Sequence, residues 1–71
     1  MINLTKPQRK ALARIYMRVL QDAQPKHPFE HQRGVPSYRA FRRTVQPGPG
    51  CVMVRYAGMW LGIEPDGYTH S

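Results

Sequence analysis

Acidic side chains are scarce in this chain. Its 71 residues hold four Asp and Glu against eleven Lys and Arg, a formal charge of +7. So few carboxylates leave little material for paired-acid catalysis or for a carboxylate-built cation site. Cysteine is nearly absent too: Cys51 stands alone, which excludes a disulfide within the chain and fits a reducing compartment. No apolar run approaches the ~20 residues that span a bilayer. The longest, from Cys51 to Ile63, is interrupted by Arg55 and two glycines. The start, Met1-Ile2-Asn3-Leu4-Thr5-Lys6-Pro7, has no apolar core of a secretory signal, so none is expected. No glycine-rich loop is followed by the Lys-Ser/Thr pair that cradles a nucleotide phosphate.

A chain of this length builds one small domain, burying only about 60% of its unfolded surface. Without disulfide or metal staples, association into a homodimer is a natural way to add stability. The charge is unevenly spread. Residues 1–55 carry all eleven basic residues against Asp22 and Glu30, a net of +9. Residues 56–71 carry Glu64 and Asp66 with nothing basic, a net of −2. A field this one-sided favours a polyanionic partner.

The pattern predicts an α+β fold: a long helix, then a short one, packed on a C-terminal antiparallel β-hairpin. Thr5-Lys6-Pro7-Gln8 has the form of a capping box with proline in the first turn. Leu12, Ile15, Tyr16, Val19 and Ala23 then recur at three and four, and Leu20 widens the stripe. The first helix is expected over residues 5–24, closed by Pro25. Residues 25–36, with three prolines (Pro25, Pro28 and Pro36) and Gly34, read as an irregular connector pinned to the core by Phe29. A second helix is expected over 37–46, capped by Ser37, with Tyr38, Phe41 and Val45 inward and Arg39, Arg42 and Arg43 outward. Pro47-Gly48-Pro49-Gly50 ends it.

Residues 51–64 read as the hairpin, turning at Ala57-Gly58. This register pairs Tyr56 with Met59, Val54 with Leu61 and Val52 with Ile63 on the core face. Arg55 with Trp60, Met53 with Gly62 and Cys51 with Glu64 fall on the other face. Alanine resists positive φ, so a loop longer than two residues is the alternative. After a turn at Pro65-Asp66-Gly67, residues 68–71 either add a short strand or tuck against the sheet.

Three constellations bear on chemistry. Lys6, Lys10, Arg14 and Arg18 follow at four-residue spacing with Arg9 beside them, and Arg39, Arg42 and Arg43 cluster on the second helix. Such arrays neutralise phosphates, whereas a merely solvated face mixes both signs for i,i+4 pairs. Trp60 lies opposite Arg55, where a cation–π contact is expected, with Tyr68 nearby. Trp60 is then either a contact surface or covered by residues 24–36. Finally, His27 and His31 flank Glu30, and with Cys51 and His70 would be needed for a metal site. Pro28 breaks the helical geometry such a pair uses, so solvated loop histidines are expected and no cofactor is called for. Cys51 lacks the framework of a nucleophile, and no enzyme activity is expected.

The element order also matches a reduced winged helix, although the helix spacing is too long for a helix-turn-helix and the hairpin tip carries no basic residue. Ser37-Tyr-Arg-Ala-Phe-Arg-Arg-Thr-Val45, the stretch from Gly58 to Ser71 and the opening from Leu4 to Leu12 resemble small uncharacterised proteins encoded by tailed bacteriophages. That resemblance implies a setting, the cytoplasm of an infected bacterium or a virion, and no assigned activity. The expectation is a basic accessory protein contacting DNA or RNA through Lys6, Lys10, Arg14, Arg18, Arg39, Arg42, Arg43, Arg55 and Trp60. The alternative is an interaction protein that inhibits or redirects a host complex, or a virion component.

Overall fold

Both halves of the predicted capping box form at the start of α1 (Lys6–Asp22). The Gln8 N–H donates to Thr5 Oγ1 at 3.1 Å, and the Thr5 N–H donates to Gln8 Oε1 at 2.9 Å. The computed structural model describes residues 2–23 and 35–71. Most of the predicted connector, including Phe29, His27, Glu30 and His31, lies outside the described residues. Helix α1 closes at Asp22 with Ala23 as its C-cap.

Ser37 caps α2 (Tyr38–Arg43), accepting the Ala40 N–H at 3.2 Å. This helix is shorter than expected. It stops at Arg43, and the Thr44 hydroxyl donates back to the Phe41 carbonyl at 2.7 Å. Gln46–Gly48, read from sequence as helix end and breaker, is instead a strand, β1, paired with β2 (Cys51–Tyr56). Pro47 is tolerated because β1 is an edge strand with one side free of ladder hydrogen bonds.

Strand β2 pairs with β3 (Met59–Ile63) in the expected register, Tyr56↔Met59 through Val52↔Ile63. Cys51↔Glu64 falls just beyond the ladder. The turn has only two residues, Ala57 at φ 52° and Gly58 at φ 79°. Both are positive, as the turn that matches strand twist requires. The longer loop is thus not needed, and Ala57 carries about 1–2 kcal/mol of left-handed strain. The tail adds a strand, β4 (Thr69–His70), with Gly62↔His70 and Ile63↔Thr69. The result is a four-stranded antiparallel meander in the order β1-β2-β3-β4.

Both helices lie on one face of this sheet. There Leu4, Ala11, Leu12, Phe41, Val45, Val52, Val54 and Ile63 form the core, with Ile15, Tyr16, Val19, Tyr38 and Leu61 packed at its margin. Met59, expected on the core face, is exposed beside the turn. Gln8 is the buried polar residue. Its amide Nε2 donates to the Ile63 carbonyl at 3.0 Å, so one side chain caps the helix and fastens it to the sheet. Thr5 Oγ1 adds a 2.6 Å bond to the Pro65 carbonyl. At the other end of α1, Tyr16 meets Tyr38 edge-on at 5.4 Å and donates to the Pro36 carbonyl at 2.8 Å. The winged-helix likeness is not confirmed: α2 is under two turns long, and the hairpin belongs to a four-stranded sheet.

Candidate nucleic-acid interface

A residue step of four advances about 40° around a helix. The row Lys6, Lys10, Arg14, Arg18 therefore winds along the outside of α1 rather than lying on one line. All four are exposed, as is Arg9. The row begins on the side remote from the core and ends beside the sheet, where Arg18 comes close to the Tyr56 hydroxyl. That hydroxyl also donates to Asp22 Oδ2 at 2.6 Å. Its pKa is raised, chiefly by the bond to Asp22 and next by lost hydration, with Arg18 opposing.

The order of charge along α1 runs against its dipole. The first turn has no acid and contains Lys6 and Arg9 at the positive end. The last turn has no base and contains Asp22 at the negative end. Each misplaced charge forgoes or loses about 0.3–1 kcal/mol.

On α2, Arg39 and Arg43 are exposed and Arg42 is half-buried. Arg42 and Arg43 line a cleft of about 550 Å³ with Ile2 and Val45. The Arg42 Nε is buried there without a hydrogen-bond partner. Among the described residues the ion pair found is His70–Glu64, at 3.9 Å, and Lys6, Arg9, Lys10, Arg14, Arg39 and Arg43 are exposed to solvent.

The outer face of the sheet carries the rest. Arg55 lies with its guanidinium carbon 5.6 Å from the Trp60 ring centroid, as the pairing predicted. No described helix or strand covers Trp60, which is 40% exposed. One row further, the His70 ring lies over Gly62, where a Cβ would come within 2.7 Å of His70 Cε1. Tyr68 stacks on His70 at 6.0 Å and an interplanar angle of 29°. Cys51 is half-buried, with Sγ 3.7 Å from Met53 Sδ. Among the described residues no three His, Cys, Asp or Glu converge as metal ligands. None of their helices is long and apolar enough to cross a membrane.

The structure thus separates the predicted residues into three places: the outside of α1, the end of α2 and the outer sheet face. Sequence reasoning missed the second partner of Gln8, the Tyr56–Asp22 bond and the Tyr68–His70 stack. The first had a partial signal in the capping box; the others depend on contacts between distant segments. Comparison of the chain with protein-family models, with curated proteins and with solved structures found no match.

Proposed function

We propose that this protein is a small nucleic-acid-binding accessory protein that works by binding rather than catalysis, in the setting the phage resemblance implies. The observation that carries the reading is the reversed charge order of α1. Cations at its N-terminal end weaken the isolated helix, so folding stability does not account for them. A phosphate backbone laid along α1 would find Lys6, Arg9, Lys10 and Arg14 ready to replace its counterions. Arg39, Arg42 and Arg43 extend the same field. Entry of α2 into a groove with the hairpin as wing is not part of the proposal, since the Ala57-Gly58 tip bears no cation.

The test is fluorescence anisotropy with labelled duplex DNA, single-stranded DNA and RNA at 50 and 200 mM salt. Four phosphate contacts predict a loss of roughly a hundredfold in duplex affinity across that range. The double variant Lys6→Glu/Lys10→Glu should abolish binding while raising the melting temperature, because acid near the helix start favours the dipole. Binding that ignores both salt and the reversal would end the proposal. Lys10 and Arg14 are better probes than Arg18, whose contact with Tyr56 mixes binding with stability.

A second reading is a protein partner, favoured by the exposed Met17 and Met59, 54% and 46% accessible. Capture of a host protein that survives nuclease treatment, with no binding to any oligonucleotide, would select it.

A further inference from the structure

Antiparallel sheets with one packed face present the side chains of alternate residues on the other. Here that bare face holds Arg55 and Trp60 on adjacent strands, then His70 and Tyr68 on the edge. Trp60 and His70 are diagonal neighbours across β3 and β4, about 7–8 Å apart by sheet geometry. Gly62 between them has no side chain, and the imidazole fills the space that a side chain there would take. The Trp60 half of the face has one cation, Arg55, and no acid; the acids Glu64 and Asp66 lie towards its β4 end. Exposed rings at successive positions, one of them under a guanidinium, accept the π-faces of unpaired bases, which a duplex keeps stacked inside itself.

We infer that the outer sheet face is a stacking surface for single-stranded nucleic acid, with one base on Trp60 beside Arg55 and the next towards the His70–Tyr68 stack. The inference rests on the nucleic-acid reading above and names its substrate class. The two surfaces lie on opposite sides of the molecule, so the helix face supplies sequence-independent attraction and the sheet face selects an unpaired strand.

Trp60 is the chain's one tryptophan, so its emission reports this face directly. Titration with an oligothymidylate should quench it, and the same length of duplex should not. Trp60→Leu should weaken oligothymidylate binding by about tenfold or more and leave duplex affinity within about twofold. Trp60→Phe, which keeps a ring, should recover most of the loss. Equal affinity for both oligonucleotides, with Trp60 emission unchanged and Trp60→Leu without effect, would overturn this inference and leave the helix reading standing. Failure to bind either oligonucleotide at low salt would overturn both.

Discussion

Val54 and Arg55 are neighbours in one strand and belong to different worlds. Val54 is fully buried against the helices, and Arg55 stands in solvent against a tryptophan. The inner face of the sheet is covered by α1 and α2, and among the described residues it buries one polar side chain, Gln8, with both ends of its amide bonded. On the outer face, rings and a guanidinium sit at the alternate positions of the same strands, and no other described element covers them. Strand alternation separates the two roles within a single element. Stability is concentrated on one side, and the other is left for the contacts proposed above.

Changes that cut into the inner face should therefore dominate stability. Leu12→Ala removes a fully buried side chain at the centre of the core. Its expected cost of about 2–5 kcal/mol is comparable with the whole stability of a domain this size, so circular dichroism should show a largely unfolded chain at 37 °C. The matched change on the outer face, Trp60→Leu, should move the melting temperature by no more than a few degrees. A reversed ranking would mean that the outer face is packed in solution.

Gln8→Ala is next in size. It strands the Ile63 carbonyl and the Thr5 N–H, and should cost about 1–3 kcal/mol in urea unfolding. A value near zero would show that the inner face does not depend on that bridge.

The smallest effect belongs to the edge between the faces, where Tyr56 reaches Asp22. A raised tyrosine pKa means that the folded state holds the phenol proton more tightly than the unfolded chain does. This contribution is fully present below the ordinary tyrosine range near 10 and is lost as pH rises through the raised value. Tyr56→Phe should flatten that alkaline part of the stability profile and leave nucleic-acid affinity unchanged at pH 7.

The hairpin register was legible from sequence because its alternation is strict: a one-residue slip would put Arg55 and Trp60 in the core. Strand β1 was hidden by its surroundings, since Pro47-Gly48-Pro49-Gly50 argues against a strand unless it lies at an edge, and edge position is a property of the finished sheet. The two-residue turn was obscured by Ala57, whose local preference yields to the pairing on either side. The α1 cations were plain in the sequence. Their placement around the helix, and the fact that the last of them serves Tyr56, came from docking α1 on the sheet. For the outer face, alternation placed Trp60 beside Arg55. Only the turn at residues 65–67 brings Tyr68 and His70 back to complete the group.

The bonds from Gln8 to Ile63 and from Thr5 to Pro65 join positions 55 and 60 residues apart. During synthesis the opening turns of α1 emerge first, and the groups that hold them to the sheet emerge near the last strand. A nascent chain halted before Ile63 carries a helix with an unsheltered apolar stripe and a marginal tendency to persist in water. The two ends of the described fold are therefore tied directly to each other, and the first helix gains its anchors only when the far strands are present.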